Sequence, residues 1–296
     1  MASVSCFAQE DKVKVMYDEY ADLVETGLFE DAAKKMKKIL SQKLTPENRI
    51  DYGMELASLY LDTLKNKKDG KRCLEDVHKQ EKALRNYEVE TAKVSQLMAA
   101  HYKLACLAEN AKDYGKMLDI SNCGLRLYDD LLSANIIQND HRLVSPELHA
   151  MLTFCRAQAA GEKGNHVDAM VDFDTAQKIL DQAISNPQKS DPNNYLLKWS
   201  INARQIQFAT DVLKDKQKAM EVAKQMVPDI ERAIRVDNAS FRKQLEKQGP
   251  FYIYLIARAC YEAGKHGECI QFCKDGLTWP DNEFVPLLKE LQQKAK

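Results

Sequence analysis

The chain is poor in the residues that form turns. Glycine occurs 11 times and proline 8 times in 296 residues, whereas average usage would give about 20 and about 15. A fold with many strands needs many such turns. The shortage therefore predicts long helices joined by short loops, and no segment has the pattern of a strand.

Other absences exclude classes of function. Neither sign of charge is in excess, with 43 basic and 44 acidic residues, so we expect no nucleic-acid partner. No run approaches the roughly 18 apolar residues of a transmembrane span. The first residues, MASVSCFAQEDKVKV, have no basic region and no long apolar run, so we expect no secretory signal. We expect a cytoplasmic protein, with the nucleus as an alternative, and reduced thiols at its eight cysteines.

Sequence motifs for catalysis are also missing. The chain contains no HExxH, GxSxG, GxGxxG or Walker-type phosphate loop. We therefore expect a protein that is not an enzyme and needs no cofactor. An α-helical enzyme of an unrecognised type is the alternative.

What the chain does contain is a repeated pair of helices. The clearest copy spans 254–277 and reads YLIARACYEAGKHGECIQFCKDGL; an earlier copy spans 152–176 and reads LTFCRAQAAGEKGNHVDAMVDFDTA. Each copy has small residues at matching positions of both helices and a glycine between them. Small residues allow two antiparallel helices to approach closely, and glycine suits the tight turn. The small residues are Ala157, Ala169, Ala176, Ala257, Cys269 and Gly276; a third copy matches these positions more loosely, with Ala105, Met117 and Gly124.

The turns of these helix pairs recur at a period of about fifty residues. Lys112, Gly164, Lys214 and Gly264 occupy equivalent turn positions. Gly27 marks a similar turn near the N-terminus, and a further turn is predicted near 66–70. Helices are predicted at 216–236, 239–247 and 250–263, among others.

These small-residue positions resemble those of the tetratricopeptide repeat (TPR) superfamily. The resemblance implies an all-α superhelix of about seven antiparallel helical hairpins, a TPR-like α-solenoid, forming a single domain over 1–296. The clearest hairpins are 97–133, 146–185, 192–236 and 250–277, with a capping helix at 282–295. The period exceeds the ordinary 34 residues, so the resemblance is to a divergent form with longer helices.

The family binds partners through the first helix of each hairpin, on the concave face. Carried onto this chain, the family's contact positions fall on Tyr102, Phe154, Arg204, Phe251, Tyr254, Arg258 and Tyr261. Tyrosine and arginine are enriched at binding hot spots. The alternative is that the aromatic residues fill the core between hairpins.

Three further patterns have competing interpretations. Lys198 and Asn202 match the first half of the motif with which some family members bind the terminal carboxylate of a partner. Cys260, His266, Cys269 and Cys273 could supply zinc ligands, but we expect core packing and no metal there. Lys65, Lys67, Lys68, Lys71 and Arg72 form a basic patch, either a solvated helix turn or a contact for an acidic surface.

Together these features predict a protein–protein interaction scaffold or complex subunit. The partner is another protein, which offers a peptide segment, a helix or a subunit surface. The alternative is an adaptor in membrane traffic that contacts acidic membranes peripherally through basic helix turns.

Overall fold

The computed structural model describes residues 2–81, 91–133, 145–185, 191–279 and 283–296. In these ranges the backbone forms helices and short turns and no strand, as the shortage of turn formers predicts. The chain forms two compact units, Met1–Ala159 and Ala160–Lys296.

The N-terminal unit is a series of helix pairs. Helix α1 packs on α2, α3 on α4, and α5 on α6. The last turn of the seventh helix belongs to the second unit. The helices are α1 (Ala2–Glu25), α2 (Phe29–Leu40), α3 (Pro46–Ser58) with a π-helical extension (Leu59–Thr63), α4 (Lys67–Lys79), α5 (Thr91–Asn110), α6 (Tyr114–Ser133) and α7 (Pro146–Glu162).

The C-terminal unit packs around one apolar core that includes Trp199, Phe241 and Ile256. Helix α9 contacts α8, α10 and α12, while α13 contacts α12 and α14. The helices are α8 (His166–Ile184), α9 (Asn193–Asp211), α10 (Lys216–Gln225), α11 (Val227–Ala233), α12 (Ala239–Glu262), α13 (His266–Leu277) and α14 (Val285–Lys294).

The predicted turn positions are confirmed. Lys112, Gly164, Lys214 and Gly264 all have the left-handed backbone, with φ values of 55°, 84°, 56° and 74°. Glycine adopts this conformation without steric cost, whereas in lysine the β-carbon makes it less favourable. The second N-terminal turn uses Lys65, at φ 55°.

Most of these turns pass directly into a capped helix. The residue after the left-handed one accepts a hydrogen bond from a backbone N–H of the next helix, for example Asp215 from Lys218 at 2.9 Å and Asn66 from Asp69 at 3.1 Å. Such caps satisfy N–H groups that the helix itself leaves unpaired. In the pairs with such a cap, the local sequence therefore sets where the second helix begins.

The small residues that carry the resemblance all lie in the interior. Ala105, Ala157, Ala169, Ala176, Ala257 and Cys269 are completely buried, as is Met117. A β-carbon on Gly276 would come within 2.8 Å of Leu288, and one on Gly124 within 2.9 Å of Leu152. These positions hold small residues because neighbouring helices approach closely there.

Two helix boundaries differ from the prediction. The predicted helix 216–236 is divided into α10 and α11, because Pro228 cannot donate a backbone hydrogen bond. The predicted helices 239–247 and 250–263 are instead one helix, α12, with Pro250 inside it. Leu245 and Ile253 are buried in the same core on either side of this proline, and that burial offsets the lost hydrogen bond.

Candidate functional site

The C-terminal unit contains a groove of about 420 Å³ between α9 and α12. A volume of this size lies in the range of small-ligand and side-chain pockets. The two helices line it with residues spaced three and four apart, so each helix presents one face. The lining residues are Ser200, Ala203, Arg204, Ile206, Gln207, Thr210, Asp211, Phe251, Tyr252, Leu255, Arg258, Ala259 and Glu262.

The floor of the groove is apolar and its rim is charged. Ile206, Tyr252 and Ala259 are buried at its base, whereas Arg204 and Arg258 are exposed. Arg258 donates from Nε to Oε1 of Glu262 at 2.7 Å, and this hydrogen bond raises the pKa of the guanidinium. An apolar floor within a polar rim is the usual anatomy of a binding surface.

The second arginine is held more loosely. The guanidinium of Arg204 donates to Oε1 of Gln207 at 3.3 Å, which is a neutral acceptor on the same helix. Among the residues that the structure describes, Arg204 forms no ion pair within 4 Å. It therefore retains donors for a carboxylate from outside the chain.

Helix α9 is oriented by a row of buried polar side chains on its opposite face. Lys198 pairs with Asp229 at 2.6 Å and with Asp181 at 2.5 Å. Gln205 donates to Oδ1 of Asp174 at 2.8 Å and accepts a hydrogen bond from Gln177. Because these contacts fix one face of α9 against α8 and α11, the other face points into the groove.

These contacts also bear on the hypothesis that Lys198 and Asn202 bind the terminal carboxylate of a partner. Lys198 is 5% exposed and already bound to two carboxylates of its own chain. Asn202 is completely buried and donates weakly to the carbonyl of Val222 at 3.4 Å. Both side chains serve internal structure and do not reach a partner.

Comparison with solved structures finds two helical-repeat proteins. A crystal structure of nearly identical TPR-like repeats from Podosopora anserina, assigned to a kinesin light chain, superposes with a TM-score of 0.50 at 13% identity. It covers 86% of this chain and 99% of its own. A tetratricopeptide repeat protein from Parabacteroides merdae has a TM-score of 0.36 at 14% identity, covering 96% and 99% of the two chains. No protein-family model and no curated protein sequence matches the chain.

The chain has a TPR-like fold. At such low identity the likeness establishes the architecture and no more. None of the helices in the described ranges is both long and apolar enough to cross a membrane.

The predicted contact residues of the C-terminal unit lie in two places. Arg204, Phe251 and Arg258 all line the groove. Tyr254 stacks on Phe284, with 5.8 Å between ring centroids. Tyr261 meets His266 edge-on at 5.3 Å, so the two tyrosines lie beside the groove, on the side of α12 that faces α13 and α14.

The other two positions belong to the N-terminal unit. Tyr102 is half-buried and packs against its apolar clusters. Burial, followed by the neighbouring Cys106 thiol, raises the pKa of its phenol. Phe154 is half-buried as well.

Several groove residues escaped the sequence analysis. Leu255 and Gln207 line the groove, yet neither is a family contact position of the kind considered. Their signal is helical spacing: Leu255 lies four residues after Phe251, and Gln207 three after Arg204. Extending each contact position by three and four residues would have found them.

The cysteines of the last hairpin lie in the core. Cys260, Cys269 and Cys273 are completely buried, and burial raises the pKa of Cys260 to about 11 and that of Cys273 to about 12. His266 is exposed and packs on Tyr261. Within the described residues these four side chains do not form a cluster with metal-ligand spacing.

The basic patch lies at the start of α4. Lys67, Lys68 and Arg72 are exposed, and Lys65 donates to the carbonyl of Asp62 at 2.7 Å. In the part of the chain that the structure describes, Lys67, Lys68, Lys71 and Arg72 form no ion pair within 4 Å. Arg72 also lines a groove of about 630 Å³ within the N-terminal unit.

Proposed function

We propose that this protein is a non-enzymatic interaction scaffold that binds a segment of another protein in the groove between α9 and α12. The observation that carries the proposal is the meeting of Arg204, Phe251 and Arg258 around one groove. Each was selected from the sequence as a family contact position. Helices α9 and α12 are also the first helices of their hairpins, which is where TPR-like proteins bind partners.

The lining indicates what the partner segment presents. The apolar floor favours a large apolar side chain, because its burial would displace water from Ile206, Leu255 and Ala259. Arg204 is the donor for a neighbouring carboxylate, whereas Arg258 is already paired with Glu262. We therefore expect an apolar anchor residue next to an acidic one.

The first experiment selects ligands without assuming a partner. The full chain is used to select peptides from a displayed library of natural protein segments, and the dissociation constant of each selected peptide is measured. We expect an apolar residue adjacent to Asp or Glu to be common among the ligands. The double variant Arg204→Ala/Arg258→Ala should weaken binding at least tenfold, since truncation of even one hot-spot residue costs about 2 kcal/mol or more.

A matched control removes two other exposed arginines of the same unit. Arg235 and Arg242 are exposed and lie outside the groove lining. Arg235→Ala/Arg242→Ala should leave the dissociation constant within about twofold of that of the unchanged protein, because exposed residues outside an interface contribute little. Equal losses in the two double variants would contradict binding in the groove.

A second function has support from the unpaired charges of the basic patch. Lys67, Lys68 and Arg72 could meet an anionic membrane surface, at about 1 kcal/mol per basic residue. Co-sedimentation with vesicles containing phosphatidylserine, at low and high salt, tests it. Lys67→Glu/Lys68→Glu should abolish sedimentation. The control Lys243→Glu/Lys247→Glu changes two exposed lysines of α12 and should not affect sedimentation. No sedimentation of the unchanged protein at low salt would exclude this function.

A further inference from the structure

Two histidines and a glutamate converge in the N-terminal unit. His78 is in the last turn of α4, Glu81 follows that helix, and His101 lies in α5. Nδ1 of His78 and Nε2 of His101 each lie 3.5 Å from Oε2 of Glu81. All three atoms are within 4.8 Å of one another.

His101 is oriented so that a lone pair points at this cluster. The ring is completely buried, and its Nδ1 lies 2.7 Å from the carbonyl oxygen of Leu97. A carbonyl oxygen can only accept, so Nδ1 carries the proton and Nε2 is left as the donor atom for a metal. A backbone carbonyl on the second nitrogen is the usual support for a metal-ligating histidine.

Neither inward-facing nitrogen has a hydrogen bond to another described residue. Nε2 of His101 and Nδ1 of His78 are both inaccessible to solvent and without a hydrogen-bond partner. A buried polar atom left in this way is costly, and an unplaced ion is one of its standard explanations. The two rings meet edge-on at 4.6 Å, which brings both nitrogens toward Glu81.

We propose that His78, Glu81 and His101 bind a divalent transition-metal ion, with zinc as the natural occupant. Two ligands about 2.0–2.1 Å from a tetrahedral zinc ion are separated by about 3.3 Å. The observed separations of 3.5 Å from the glutamate oxygen to each nitrogen need only small adjustment. Two imidazoles and a carboxylate leave a fourth coordination position for water or another donor.

The surroundings provide a way in for the ion. The side chains of His101 and Glu81 are 0% and 12% exposed, but that of His78 is 40% exposed. The ion would reach the buried ligands past the His78 ring. Once bound, it would link α4 to α5 and so stabilise the N-terminal unit.

The test is a zinc titration of the full chain after treatment with a chelator and desalting, followed by calorimetry. We expect one site, whose dissociation constant rises more than about 100-fold in His78→Gln, since even outer-shell partners are worth about 10–100-fold. His78 is the variant of choice because its partial exposure makes misfolding improbable. Glu81→Gln serves as the second variant. His149→Gln is the matched control, because His149 is half-buried in the same unit and packs on Tyr128 instead.

Cobalt distinguishes this site from binding to cysteine thiols. Co²⁺ held by two imidazoles and a carboxylate should give visible d–d bands without thiolate-to-metal charge transfer. These bands should disappear in His78→Gln and persist in His149→Gln. Absence of binding, equal binding in His78→Gln and the unchanged protein, or a thiolate charge-transfer band at one equivalent would each overturn the proposal.

Discussion

The two faces of helix α9 use polar residues in opposite ways. On the inner face, Lys198, Asn202 and Gln205 are 5% exposed or less and bind groups of their own chain. On the outer face, Arg204 and Gln207 line the groove and are exposed. The polar groups of the inner face bind buried groups of the fold, while Arg204 and Gln207 on the outer face are exposed and, within the described part of the chain, hydrogen-bond only to each other, at 3.3 Å.

Residue type alone therefore does not identify a binding residue. Lys198 and Arg204 are both cations on the same helix, six residues apart. The two residues differ in exposure, since Lys198 is buried and Arg204 is exposed. Burial alone would lower the pKa of Lys198, but its two internal carboxylates, Asp181 and Asp229, outweigh that effect and raise the pKa. Substitutions on the two faces should therefore change different properties.

The largest effect is expected at Lys198. Lys198→Met leaves Asp229, which is 3% exposed, as a buried charge without its closest partner. Breaking a buried pair in this way should lower the free energy of unfolding by about 3–5 kcal/mol. Urea denaturation followed by tryptophan fluorescence measures it within the C-terminal unit, because both tryptophans, Trp199 and Trp279, lie there.

A compensating variant tests the reason for that loss. In Lys198→Met/Asp229→Leu no buried charge remains at the pair, and apolar replacements of buried pairs are often neutral. We expect the double variant to recover at least half of the lost stability. A double variant as unstable as the single one would show that the loss comes from packing and not from charge.

An intermediate effect is expected from Gln205→Leu. The change removes the hydrogen bond to Asp174 and leaves Gln177 without its acceptor, which should cost about 1–3 kcal/mol. Gln207→Leu is the same substitution two residues away on the groove face and should change stability by less than about 0.5 kcal/mol. Similar losses in the two variants would remove the distinction between the faces.

The smallest effect on stability is expected at the rim of the groove. Arg258→Ala removes a hydrogen-bonded ion pair with Glu262 between partly exposed side chains one helical turn apart, worth about 0.3–0.5 kcal/mol. The same urea titration should find its unfolding midpoint nearly unchanged. A loss above about 1 kcal/mol would mean that Arg258 supports the fold, which would weaken its assignment to binding.

The sequence was informative where one local pattern determines the structure. The offsets of the small residues predicted buried contacts at Ala157 and Cys269 correctly, and the alignment of Lys112 and Lys214 with glycines predicted turns there, which the structure shows to be left-handed. Both depend on neighbours within one hairpin. Family positions also located Arg204, Phe251 and Arg258, which line the groove.

The sequence was less informative where the structure depends on contacts between residues far apart in the chain. The continuity of α12 through Pro250 depends on burial of Leu245 and Ile253 in a shared core. The role of Lys198 depends on Asp229, thirty-one residues away. The histidine cluster brings together His78 of α4 and His101 of α5. These residues are too far apart in the sequence to form a short motif.

Binding of a partner segment in the groove between α9 and α12 can be tested on the full-length protein. The most direct measurement is photo-cross-linking of a selected peptide to full-length protein that carries a photoreactive amino acid at position 207 or at position 217. Both positions hold exposed glutamines in the C-terminal unit, but only Gln207 lines the groove. We expect a cross-link from position 207 and none from position 217; a cross-link from position 217 alone, or equal cross-linking from both, would overturn binding in the groove.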